Sequence, residues 1–86
     1  MKHTIGATEV ITTVSRCDDE AGCFVFDVVG RAGDIVVERR CSIRQESVLV
    51  TPLRDRLRAL RGAVARDVAR IVAQAQASDW QEDDEE

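Results

Sequence analysis

Apolar and polar residues alternate with a period of two over much of the first fifty residues, and recur at helical spacing beyond them. Residues 4–15 are rich in Thr, Val and Ile, whose branching at Cβ favours extended structure. Their alternation is imperfect: Val10, Thr12 and Val14 share one parity, Ile5, Ala7 and Ile11 the other. A bulge, or a strand covered on both sides, accounts for the break. Arg16 to Gly22 reads as a solvated turn.

A second strand is predicted over 23–30, with Phe24, Phe26 and Val28 on one face and Val25, Asp27 and Val29 on the other. Gly30 and Gly33 then bracket a short hairpin loop. The third strand, 35–44, points Ile35, Val37, Cys41 and Ile43 inward and Val36, Glu38, Arg40, Ser42 and Arg44 outward. Arg39 interrupts the inward set, so either the strand bulges near 38–40 or that guanidinium is paired. Ser47 to Val50 reads as a short extended segment.

Thr51-Pro52 is a helix start, with Thr51 as N-cap and Pro52 as the first helical residue. Leu53, Leu57, Leu60, Val64, Val68, Ile71, Val72 and Ala75 then form one apolar stripe, and the helix is predicted over 52–77. Such a helix is longer than the strands it covers, so its last turns overhang the sheet.

These elements predict an α+β fold in βββα order: a three-stranded, mostly antiparallel sheet with one long C-terminal amphipathic helix packed on one face. Residues 1–77 form the single domain and 78–86 an acidic tail. The opposite sheet face keeps Val25, Val29 and Val36, a partly apolar surface open to a partner.

Charge sharpens this picture. The 86-residue chain has a net charge of −4, unevenly spread. Residues 51–77 carry Arg54, Arg56, Arg58, Arg61, Arg66 and Arg70 against only Asp55 and Asp67, whereas 78–86 carry acids and no base. The three cysteines and the absence of a leader-like segment point to a cytoplasmic protein with reduced thiols. No apolar run has the length of a membrane span.

Little in the sequence points to catalysis. The single histidine, His3, lies at the chain start. Cys17, Cys23 and Cys41 do not have zinc-ligand spacing. Asp18-Asp19-Glu20 lacks the ligand alternation of a calcium loop. The Gly30–Gly33 segment precedes a strand, whereas phosphate-binding glycine loops open a helix. Neither a cofactor, a metal nor an enzymatic activity is expected.

The candidate sites are therefore surfaces. Arg54, Arg58, Arg61, Arg66 and Arg70, with Trp80 as an aromatic anchor, are the candidate partner-binding residues. Gly62, Ala65, Ala69 and Ala73 are read as a strip of small residues facing away from the core, where a second helix could approach in a homodimer. The leading expectation is a small non-catalytic module that binds a larger protein. By analogy of size and acidity alone, it compares with inhibitors encoded by phages and mobile elements, including anti-CRISPR proteins. The alternative is a nucleic-acid-associated regulator using the Arg-rich helix, in a form that could be dimeric; the negative net charge and the acidic tail disfavour it.

Overall fold

The computed structural model describes the backbone of residues 1–84 and the side-chain surroundings of residues 1–77. Four strands, β1 (Lys2–Ile5), β2 (Thr8–Arg16), β3 (Cys23–Ala32) and β4 (Ile35–Arg44), form an antiparallel sheet in the order β1-β2-β3-β4. A 3-10 turn over Gln45–Leu49 leads into α1 (Leu53–Asp84). The fold is α+β with one long C-terminal helix on one sheet face, but the sheet has four strands, not three.

The fourth strand comes from the segment read as one. Gly6-Ala7 is a two-residue loop that pairs Ile5 with Thr8, and Gly6 sits at φ +61°. Ala7 does not have positive φ, so the turn is type II′, with glycine at its first central position. The imperfect alternation is thus neither a bulge nor double coverage. A two-residue loop reverses the parity of the inward face, so Ile5 and Val10 both turn toward the helix. Gly33-Asp34 closes β3 onto β4 in the same way, pairing Ala32 with Ile35 with Gly33 at φ +60°.

Gly30 therefore lies inside β3 and not in the loop, and its missing side chain has a use. A Cβ there would stand 2.7 Å from Val64 Cγ1 and 3.0 Å from Val68 Cγ2. The helix crosses the sheet at this point at close range. Around it Val10, Val28, Val64, Ala65 and Val68 form the core, with Ile5, Val14, Ala32, Ile35, Val37, Leu60 and Val72 packed at its border. Val64 and Val68 are fully buried, whereas Leu57 and Leu60 are half-buried. Each fully buried Val contributes about 1.5–3 kcal/mol of transfer free energy.

The one fully buried polar residue among those described is Thr12, and it is satisfied. Its hydroxyl lies 2.8 Å from His3 Nε2, and its N–H donates to the Met1 carbonyl at 2.8 Å. The β1–β2 ladder thereby continues past Lys2 to Met1.

β4 contains no bulge: its pairing with β3 runs unbroken from Cys23–Arg44 to Ala32–Ile35. Arg39 turns toward the helix side, opposite Val28, and its guanidinium donates to Asp67 of α1 at 2.8 Å. On the other sheet face Val25 is buried, while Ile11 and Val36 are about half exposed.

The Ser47–Val50 segment is not extended. The 3-10 turn occupies most of it, and Leu49 and Val50 are 89% and 86% exposed. Asp55 and Arg56 both donate their N–H to the Pro52 carbonyl, which shifts the cap from Thr51 to Pro52. The helix runs past Ala77 to Asp84, so most of the segment read as a tail is helical backbone. Among the described residues Val72 is the last packed on the core border, and Ala73 to Ala77 are exposed. The later turns thus project beyond the sheet, in a molecule 57 Å long and 22 Å wide.

Candidate interaction surfaces

The arginines of α1 divide between two flanks, as their spacing requires. Arg54, Arg58 and Arg61, at i, i+4 and i+7, lie on one flank and line an open groove with Leu57 and Met1. Arg61 is half-buried there. Among the described residues, the nearest carboxylate to any of the three is Asp55, 3.9 Å from Arg54 Nε, at the limit of an ion pair and on exposed side chains. Arg58 and Arg61 have no carboxylate within 4 Å among those residues.

The opposite flank is spent on the fold. Asp67 accepts from Arg39 at 2.8 Å and from Arg70 at 3.2 Å, so Arg70 is engaged within its own helix. Arg66 is exposed, and its Nη1 reaches back over Gly62, 3.4 Å from where a Cβ would stand. Arg56 lines a second groove with Cys41, Ser42, Ile43, Ala59 and Leu60, where its Nε is buried without a hydrogen-bond partner. The sequence-predicted arginines are therefore not one site: Arg54, Arg58 and Arg61 converge, and Arg66 and Arg70 lie elsewhere. Trp80 is in the helical backbone, but its side chain lies outside the described residues.

The small-residue strip is corrected. Ala65 is fully buried and Ala69 is 9% exposed, so both belong to the sheet-facing side. Because Gly30 lets the helix backbone approach closely, residues at the edge of the apolar stripe are drawn under cover. Gly62 carries the Arg66 guanidinium, and only Ala73 of the four is exposed. The strip does not form a surface for a second helix.

Arginines concentrate where helix electrostatics disfavour them. Arg54, Arg56, Arg58 and Arg61 occupy the first nine residues of α1, with Asp55 the sole acid of its first turn. The positive end of the helix dipole disfavours the first-turn cations Arg54 and Arg56, by about 0.3–1 kcal/mol at an exposed position, and fades toward Arg58 and Arg61. The acids of 79–84 fall at the other end, again against the dipole. Rules of local stability are commonly broken where a surface has work to do.

A polar cluster sits on the outer sheet face. Asp27 accepts two bonds from the Arg40 guanidinium across the β3–β4 pair, at 3.0 and 3.3 Å. Arg40, and secondarily the Cys17 thiol, hold the Asp27 carboxyl below its ordinary pKa. The hydrogen bond to Asp27 raises the pKa of Cys17, which keeps the thiol protonated and weakly nucleophilic. Arg16 lowers Asp19 in the same manner, through a 2.8 Å bond. Among the described residues no three His, Cys, Asp or Glu side chains converge as a metal site. His3 is held by Thr12.

Sequence reasoning missed Leu49 and Val50. The signal was present in an apolar pair that belonged to neither the strand alternation nor the helix stripe. It also missed the open edge of β4, since edge position depends on the order of strands and not on any residue. Among the described residues, no helix is long and apolar enough to cross a membrane. Compared with known proteins, the chain matches no family model, and neither a curated protein nor a solved structure is significantly similar to it.

Proposed function

We propose that this protein is a non-catalytic binding module whose Arg54–Arg58–Arg61 flank takes an acidic segment of a larger protein. The observation that carries the reading is the convergence of these three arginines on one groove, around Leu57, with no close carboxylate partner for Arg58 or Arg61 among the described residues. Guanidinium groups on an apolar floor suit a peptide that presents carboxylates with an apolar side chain between them. Leu49 and Val50, exposed just before the same end of the helix, supply further apolar anchorage. Acting by occupation of a partner's surface is the mode of a compact inhibitor.

A phosphate backbone is the competing ligand for the same arginines. The net charge of −4 opposes its approach, and three cations give only weak binding to duplex at physiological salt. The test is titration of a fluorescent Glu- and Leu-containing peptide, and separately of short duplex DNA, into the full chain. The peptide is expected to bind, and Arg58→Glu with Arg61→Glu to abolish binding while the circular dichroism spectrum is retained. Tighter binding of DNA than of peptide at physiological salt would replace this reading with that of a nucleic-acid regulator. Peptide binding indifferent to both substitutions would remove the flank as the site.

A further inference from the structure

β4 is an edge strand of ten residues, and its outer side is paired with no other strand of the sheet. Beside it runs the groove of Cys41, Ser42, Ile43, Arg56, Ala59 and Leu60, with the unpartnered Arg56 Nε inside. On the same face Ile35, Val37 and Cys41 are only half-buried, although all three point to the helix side. A long edge with apolar side chains left partly open calls for a cover.

We propose that the cover is a second copy of this chain, joined by antiparallel β4–β4 pairing into one continuous eight-stranded sheet. The argument is the self-complementarity of the strand. A two-fold axis normal to the sheet keeps the faces aligned only when residues of like parity stand opposite each other. With the axis at Arg39, Glu38 stands opposite Arg40 of the second copy, twice over. Val37 then faces Cys41, Ile35 faces Ile43 and Val36 faces Ser42. Sliding by one step each way sets Glu38 against Glu38, or Arg40 against Arg40. Directly opposed unlike charges favour a pair and like charges disfavour it, so one register is selected.

The side chains fit that register. Glu38 is exposed and pairs with no cation among the described residues, whereas Arg40 already holds Asp27 on the β3 side and still has 67% of its side chain exposed. Ile35 and Val37 of the second copy come alongside Ile43 and Cys41, at the mouth of the groove. The two Arg39 residues meet at the axis, but each is neutralised by the Asp67 of its own helix. The seam lies on the β4 side and the Arg54–Arg58–Arg61 groove on the β1 side, so the dimer leaves that flank open and does not depend on its function.

Sedimentation velocity of the full chain over a concentration series is the first measurement. It is expected to give a species of twice the 9.5 kDa chain mass. Glu38→Arg alone, and Arg40→Glu alone, are each expected to weaken self-association by about tenfold or more, since each places like charges opposite each other at two points. Mixing the two variants is expected to restore association as a heterodimer, because a Glu38→Arg chain carries two arginines, an Arg40→Glu chain carries two glutamates, and both seam points then pair opposite charges. The double variant Glu38→Arg with Arg40→Glu likewise sets opposite charges against each other at both points and is expected to restore the dimer within one chain species. Glu38 has no ion-pair partner to lose among the described residues, so Glu38→Arg remains informative even if Arg40→Glu unfolds. A parent protein that stays monomeric at high concentration would overturn the proposal and make the charges of residues 38–40 guards of the edge. A dimer unaffected by Glu38→Arg would place the interface elsewhere.

Discussion

Arg39 of β4 and Asp67 of α1 form a 2.8 Å hydrogen-bonded ion pair that ties the exposed edge of the sheet to the middle of the helix. It explains a cation in an otherwise apolar strand face. The guanidinium extends past the core border, and its side chain remains 57% exposed. Solvent screening limits the value of such a pair to about 0–1 kcal/mol. A double-mutant cycle of Arg39→Ala and Asp67→Ala, measured by urea unfolding, is expected to return a coupling energy within that range. A coupling of several kcal/mol would mean that the pair is buried in solution, as it would be if another chain covered it.

The close crossing at Gly30 yields a stronger expectation. Gly30→Ala places a methyl 2.7 Å from Val64 Cγ1, so one of the two must move. Overpacking of this kind typically costs about 1–3 kcal/mol. Val64→Ala removes the obstructing methyl and alone destabilises through lost burial. The double variant is expected to be more stable than the sum of the two single losses, as compensating neighbours are non-additive. Simple additivity in urea midpoints would show that the helix does not cross there.

The strand faces from Phe24 to Ile43 were legible because β-structure has a strict period of two and each strand buries one side. The reversal of inward parity between β3 and β4 is the imprint of the two-residue Gly33-Asp34 loop. The same imprint lies between Ile5 and Val10, yet a single glycine inside a Thr- and Val-rich run resembles a flaw in one strand more than a turn between two. The helix stripe was legible at Leu57, Leu60, Val64, Val68 and Val72, but not its rotation, and Ile71, read into the same stripe, is exposed. Which flank is covered depends on how closely the backbones approach, and Gly30, far away in sequence, decides that. It moved Ala65 and Ala69 from the supposed outer face to the core side. The arginine flank was only half legible: i, i+4, i+7 spacing groups Arg54, Arg58 and Arg61, but Arg70 could not be set aside without seeing Asp67 beside it.

The Asp27 cluster gives a pH and reactivity signature. Its folded-state pKa lies below the ordinary carboxyl value, so the unfolded chain takes up a proton more readily as pH falls. The stabilisation from Asp27 is fully present above the unfolded-state pKa, near 3.8, and is lost as pH drops through the folded value. Asp27→Asn is expected to lower stability somewhat at neutral pH, to flatten the acid limb, and to converge with the parent once pH falls below the folded-state value. The same substitution removes the anion that keeps the Cys17 thiol protonated, while Arg40 stays nearby. Alkylation of Cys17 by iodoacetamide near pH 8, read by peptide mass spectrometry, is expected to be faster in Asp27→Asn than in the parent. An unchanged rate would show that the thiol does not bond to Asp27.

The last turns of α1 offer the clearest separation of fold from electrostatics. No core residue lies beyond Val72 among those described, and Ala73 to Ala77 are exposed, so the sheet is expected to stand without the turns past Ala77. Ending the chain after Ala77 removes six acids and changes the net charge from −4 to +2. It also removes negative charge from the end of a helix whose dipole is negative there. The urea midpoint of the truncated protein is therefore expected to equal or slightly exceed that of the parent. Its behaviour toward polyanions should change more. With the opposing charge gone, Arg54, Arg58 and Arg61 present an unopposed cationic flank, and affinity for duplex DNA is expected to rise at low salt. If these three arginines make the phosphate contacts, the logarithm of that affinity falls with the logarithm of salt concentration with a slope of about −2.7. Adding Arg58→Glu to the truncation should then abolish most of the gain. A gain that survives Arg58→Glu would assign the polyanion contact to the Arg66 side of the helix, and a large fall in the urea midpoint would show that the overhanging turns fold back on the domain.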